Sequence, residues 1–297
     1  MRTISTLSYP SPEKKMLKVT EKSVSCFSGN IKRISNVPKG VIYCPFSNED
    51  MVMQAMGINT ARVLKGKEPF PIICSMLDRG LIKTSINEFK NKEFEGRLKD
   101  GEFYEKKMAP YIQSVGIEHV HKALPKETKI LGEYQALKRL NVVDPKSLPD
   151  KVIENIYVVG HGEAGRPHLF ETTKCDSGSK SIADAMKDLY TIVGNKVKPD
   201  VKVKITACES ADRETLKSFE KIGDISERKR GTEPLAKSAK SEANKYFPQS
   251  RVFGYHGLGI SRGNDYISNA RCLVSDFNEE NGKVKKWKKA STVRTEF

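Results

Sequence analysis

The chain has 297 residues, enough for two domains or one large α/β domain with insertions. Its 52 Lys and Arg against 37 Asp and Glu leave a net charge of +15, a surplus that favours nucleic acid, an anionic membrane surface or another polyanion as partner. No apolar run approaches the roughly 20 residues that span a bilayer, and the amino terminus has no signal-peptide core, so a membrane span and classical secretion are excluded as expectations. Cys26, Cys44, Cys74, Cys175, Cys208 and Cys272 include no C-x-x-C pair, which argues against a zinc ribbon or disulfide framework and for reduced thiols.

Residues 1–37 mix Ser, Thr, Pro and Lys with few periodic apolar positions, the composition of a mobile leader of the kind that can carry an export signal. Order is expected from residue 38 to residue 297. Gly40-Val-Ile-Tyr-Cys-Pro-Phe46 reads as a short buried strand, Ser47-Asn-Glu-Asp50 as a helix cap, and the stretch through Met53, Met56 and Ala61 as the helix that follows. Residues 68–141 read as an insertion or subdomain, with an apolar run at Phe70 to Leu77, a charged helix-like stretch at Asn87 to Glu105 and another near Glu133 to Leu140. His119 and His121 would face one side of a strand there, but no third ligand is spaced to join them, so they are taken as surface histidines rather than a metal pair.

From Asp144 the pattern is regular. Strand Ile153 to Val159 leads to His161. After a loop to about Ser181, a helix puts Ile182, Met186, Leu189 and Val193 on one stripe. Strand Val201 to Ile205 leads to Cys208. A polar loop containing Arg228-Lys-Arg230 precedes a helix carrying Leu235, Ala239, Ala243 and Tyr246, then strand Arg251 to Tyr255. Alternating strands and helices predict a mostly parallel sheet flanked by helices on both faces. Ala270 to Phe277 and Lys283 to Lys289 flank Asn281-Gly282, a hairpin signal, so a basic β-hairpin is expected to end the chain.

His161 and Cys208 are the residues that carry chemistry. Each follows an apolar strand, and a strand delivers its last residues to the carboxyl edge of the sheet, where open α/β sheets hold ligands. The loop, helix and strand between them form a right-handed crossover that returns the second strand beside the first or one place away. A free thiol is only a few per cent thiolate at neutral pH, and a neighbouring imidazole corrects that. The amides of Gly162 and Cys208 are candidate oxyanion-hole donors, and small residues at Ala207, Ser210 and Ala211 permit a sharp turn out of the strand.

Val158-Val-Gly-His-Gly162 with Gly165, followed by Thr206-Ala-Cys-Glu-Ser210, resembles the His-Gly and Ala-Cys motifs of the caspase and legumain superfamily of cysteine peptidases. Within it, the layout is similar to the inositol-phosphate-activated cysteine protease domains of RTX and clostridial toxins, over about residues 40–66 and 150–297. The resemblance implies a caspase-like α/β sandwich, Cys208 as nucleophile, His161 as base and leaving-group acid, and no obligatory carboxylate partner. It also implies that Val252, Phe253, Gly254, Tyr255 and His256 wall the substrate cleft, where an extended peptide would pair by its backbone. The loop from Glu209 to Gly231 takes the place of the superfamily's activation loop. Thr206 stands where caspases carry the Gln that helps bind an acidic side chain, which argues against that specificity.

Lys283, Lys285, Lys286, Lys288 and Lys289, set around Trp287, suit a polyphosphate, and the resemblance implies inositol hexakisphosphate as allosteric activator, with no metal. The expected protein is thus an effector or toxin protease that cleaves itself or a host protein, exported from bacteria by a non-classical route and acting in the host cytosol. A basic module binding nucleic acid or anionic lipid, or another Cys-dependent acyl-transfer enzyme, are the alternatives. No G-x-S-x-G elbow occurs, which argues against a serine hydrolase.

Overall fold

A computed structural model describes residues 38–174, 178–222, 232–260, 270–278, 280 and 283–297. The leader, Arg228-Lys-Arg230 and the Asn281-Gly282 turn lie outside the described residues. The fold is α/β, built on a six-stranded sheet. Its strands are β1 (Gly40–Tyr43), β2 (Ile72–Ile73), β3 (Ile153–Val158), β6 (Val197–Ile205), β7 (Arg251–Tyr255) and β13 (Arg294–Glu296), in the spatial order β13-β7-β6-β3-β1-β2. All pair in parallel except β13, which runs antiparallel to β7. From β1 the chain steps outward to β2, then returns past β1 to β3 and continues the other way. The β1/β3 boundary is therefore the switch point where such sheets open a crevice.

Both faces of the sheet are covered, as its apolar strands require. Val201, Val203 and Ile205 of β6 point to one face with Ile156 and Val158 of β3. There they meet the apolar stripes of α6 (Ile182–Val193) and α7 (Leu235–Ala243). Ser181 caps α6 by accepting from the Asp184 amide at 3.1 Å. The other face carries α1 (Glu49–Val63), α2 (Arg79–Glu95) and α5 (Pro125–Lys138), packed on Ile42, Ile72 and Val159. Asn48 caps α1 through the Met51 amide at 3.1 Å, as the Ser-Asn-Glu-Asp signal predicts. Ile156 is fully buried, and truncating it to Ala removes about 2–5 kcal/mol.

Segment 68–141 is not a separate appendage. It supplies β2 to the sheet and α2 and α5 to one layer, while α3 (Gly101–Val115) and α4 (Ile117–Ala123) pack on α5. His119 and His121 lie on helix α4, not on a strand. His121 Nδ1 sits 2.7 Å from Thr128 Oγ1, and burial lowers its pKa.

Three small ladders complete the chain. β4 (His168–Phe170) and β5 (Ser179–Ser181) form a hairpin inside the region read as a loop. β8 (Leu258–Ile260), β9 (Ala270–Cys272) and β12 (Lys288–Lys289) form a three-stranded sheet, and β10 (Phe277–Asn278) pairs with β11 (Lys283–Val284). The terminal hairpin arms therefore do meet, but as two short ladders split by a 3-10 turn at Val274–Asp276.

Candidate active site

β3 and β6 are direct neighbours, with Val158 opposite Ile205, so the crossover brings the His and Cys segments side by side. Thr206 extends the pairing, its amide reaching Val158 O at 2.9 Å and its hydroxyl the same oxygen at 2.8 Å. Beyond it the chain turns abruptly. Glu209 adopts φ +51°, a left-handed conformation costly for a non-glycine residue, and the turn is pinned by Ser210 Oγ donating to Ile205 O at 2.7 Å. Gly162 shows how closely the two turns approach. A Cβ there would lie 2.7 Å from the Cys208 carbonyl oxygen and 2.9 Å from Ala207 Cβ.

His161 is fixed from α1. Its Nε2 lies 3.1 Å from Asp50 Oδ2 and 3.5 Å from Gln54 Nε2, while Gln54 Oε1 accepts from the Gly160 amide at 3.0 Å. Asp50 and Gln54 stand four residues apart and so share one helix face. A carboxylate at Nε2 favours the tautomer with the proton on that nitrogen, in which Nδ1 carries the lone pair. The His161 backbone is clamped by reciprocal hydrogen bonds to Phe170 at 3.0 Å each, which gives the β4–β5 hairpin its role.

His161, Cys208, Gly162 and Thr206 line a common cleft of about 420 Å³. Its remaining walls are largely apolar: Met53 from α1, Leu258 and Ile260 from β8, Cys272 from β9, and Phe277. Gly259 of β8 donates its amide to Cys208 Sγ at 3.2 Å. The amides of Gly162 and Cys208 have no hydrogen-bond acceptor among the described residues, so both are free for a ligand oxygen.

Burial separates Cys208 from the other described thiols. Cys44, Cys74 and Cys272 are buried, and desolvation pushes all three up, Cys74 and Cys272 each to about 11. Cys208 is the part-exposed one.

The β7 residues need a correction. β7 is paired on both sides, by β6 and β13, and Val252, Phe253, Gly254 and Tyr255 are buried. No peptide can add to that strand, because β13 already occupies its edge. His256 also lies away from the cleft, its Nδ1 2.5 Å from Asp212 Oδ1 and its Nε2 2.8 Å from Thr295 Oγ1. The cleft wall is β8, whose outer edge has no strand partner among the described residues. Asp50, Gln54 and Gly259 are the site residues that sequence reading missed.

Lys283, Lys285, Lys286, Lys288 and Lys289 are exposed along the terminal ladders, with Trp287 46% exposed beside them. A second group of cations sits on the sheet. Lys202 and Lys204 alternate out of β6 opposite the α6/α7 face, and Lys204 Nζ lies 2.9 Å from Tyr157 OH and 3.1 Å from Asn155 Oδ1. Burial, then Arg294, Lys202, Arg62 and Lys67, push Lys204 down to about 8.

No helix among the described residues is long and apolar enough to cross a membrane. No protein-family model matches the chain, and no curated protein matches it in sequence.

Proposed function

We propose that the protein is a cysteine endopeptidase of caspase-like architecture in which Cys208 attacks and His161 shuttles the proton. The observation that carries this reading is the convergence, at one cleft, of a part-exposed thiol, an imidazole with a carboxylate at its Nε2, and two amides with no acceptor among the described residues. His161 Nδ1 takes the thiol proton as Sγ attacks the peptide carbonyl carbon. The Gly162 and Cys208 amides hold the resulting oxyanion, and the proton passes from His161 to the departing amine. Water, deprotonated by His161, then opens the thioester and releases the new carboxyl terminus.

An extended substrate pairs with the free edge of β8, and the apolar wall receives a large aliphatic side chain next to the scissile bond. Among the described residues no Lys or Arg lines the cleft, Arg271 of the adjoining pocket is engaged with main-chain carbonyls, and the Thr206 hydroxyl is spent on Val158 O, which disfavours an acidic side chain. The substrate is a protein, this chain itself or one in a host cell that receives it.

The cluster at Lys204, more than the hairpin lysines, fits a polyphosphate activator such as inositol hexakisphosphate. The folded value of Lys204 lies below the ordinary ~10.4, so its contribution to stability is greatest above that pH and is lost as pH falls through about 8. At pH 7 the charged form of Lys204 is therefore disfavoured, first by burial and then by its cationic neighbours, and a bound polyanion offsets the second of these. Inositol hexakisphosphate is expected to raise the melting temperature at pH 7, less so in high salt. It is also expected to accelerate labelling of Cys208 by a leucyl acyloxymethyl ketone. Lys204→Met combined with Arg294→Met is expected to lose most of both effects. Adducts mapped to other cysteines, or none in the wild type, would exclude the peptidase reading; an unaltered response in the double variant would exclude only the site.

A further inference from the structure

Arg271, the central residue of β9, is a cation buried to 4% exposure that forms no ion pair among the described residues. Its guanidinium is spent on main-chain carbonyls. Nη2 donates to Thr206 O at 2.8 Å, and Nη1 to Ala207 O at 3.1 Å and Gly257 O at 3.3 Å. The Tyr255 ring closes the pocket, 4.6 Å from the guanidinium carbon. Burying a cation this way is costly, and a neutral side chain would fill β9 more cheaply.

The peptide group that joins Ala207 to Cys208 explains the expense. Its oxygen accepts from Arg271, and its N–H is the Cys208 amide, one of the two free donors beside the thiol. A cationic donor on the carbonyl draws electron density from the amide nitrogen and makes its N–H the stronger donor, as in any hydrogen-bonded peptide chain. The same contact fixes the plane of the peptide and hence the direction of the N–H. Gly259, which donates to Cys208 Sγ, is the cross-strand partner of Arg271, so one ladder serves both thiol and amide.

We propose that Arg271 is a positioning residue that orients and polarises the Cys208 amide for oxyanion binding through the Ala207 carbonyl. This rests on the peptidase reading of the cleft. The role predicts a split between two reactions of the same thiol. Attack on an acyl carbon creates an oxyanion, whereas alkylation by iodoacetamide, a displacement at a methylene carbon, creates none.

The experiment follows acylation of Cys208 by p-nitrophenyl hexanoate and its alkylation by iodoacetamide, both by intact mass, in wild type, Arg271→Met and Arg271→Lys. Removing a direct oxyanion donor costs about 10²–10³-fold, and the Arg271 charge also acts on the Cys208 sulfur, so both rates are taken on the pH plateau where the thiol is ionised; there the indirect loss in Arg271→Met is expected to be about tenfold in acylation, with alkylation changed less than about twofold. Arg271→Lys, which keeps the charge but not the fork, is expected to fall between and guards against a misfolded Met variant. Equal losses in both reactions would mean a merely structural role and would overturn the proposal, as would unchanged acylation. A wild-type thiol that alkylates but does not acylate would instead remove the peptidase reading, and the oxyanion hole with it.

Discussion

His161→Ala is expected to lower kcat/KM by about 10²–10⁴-fold, the range for losing a positioned general acid–base, with the fold intact. The imidazole projects into the cleft, and its removal leaves Asp50 beside water rather than in a sealed core, since the Asp50 side chain is 38% exposed. Asp50→Asn separates orientation from proton transfer. An amide can donate to Nε2 and so favour the tautomer with the proton on Nδ1, which leaves the thiol without an acceptor. The loss should fall mainly in kcat and stay below the ~10⁴ seen for a buried triad carboxylate, because Asp50 is partly solvated. Steady-state kinetics on a leucyl-containing peptide resolve both. Parity of His161→Ala with wild type would remove the imidazole from the mechanism.

Gly162→Ala is expected to do comparable damage by geometry alone. The added Cβ would meet the Cys208 carbonyl at 2.7 Å and Ala207 Cβ at 2.9 Å, both on the nucleophile's own turn. Backbone cannot rotate away as a long side chain does, so the His and Cys turns separate. A displacement near 1 Å in such a site costs about 10²-fold. Gly80→Ala in α2 is the control: nothing lies within 4 Å of the new Cβ, and a helical Gly→Ala change stabilises by about 0.4–1 kcal/mol. The measurement is kcat/KM together with thermal melting for both variants. Full activity in Gly162→Ala would mean that the two turns do not act as one site.

What the sequence made legible follows from how locally each element is determined. α1, α6, β3 and β6 carry their own caps or alternation, so their places and the adjacency of His161 and Cys208 could be read. β4, β5 and β13 are three residues each, too short for periodicity, and β13 (Arg-Thr-Glu) has no apolar face to betray it. It is held by backbone pairing and the Arg251–Glu296 ion pair at 2.6 Å. The resemblance put the substrate on β7, and without β13 in view nothing showed that the edge of β7 is already paired. Residues 68–141 resisted reading because Glu93 of α2 is buried among apolar positions and paired with Arg97 at 3.4 Å, which breaks the stripe that marks a helix face. Asp50 stands 111 residues before His161, and only the Asp50/Gln54 spacing on a capped helix hinted that both face one neighbour. The Lys204 cluster was hidden for the same reason: its members come from α1, the loop after it, β6 and β13.

The central claim, a thiol peptidase built on Cys208 and His161, is tested most directly by intact-mass analysis of wild type and Cys208→Ala, each incubated with and without inositol hexakisphosphate, alone and with a leucine-containing protein substrate. The account predicts new fragments, cut after an aliphatic residue, in wild type with the ligand and none in Cys208→Ala. The same fragments from Cys208→Ala, or no cleavage of either chain by wild type whose Cys208 is intact and labelled by iodoacetamide, would contradict it.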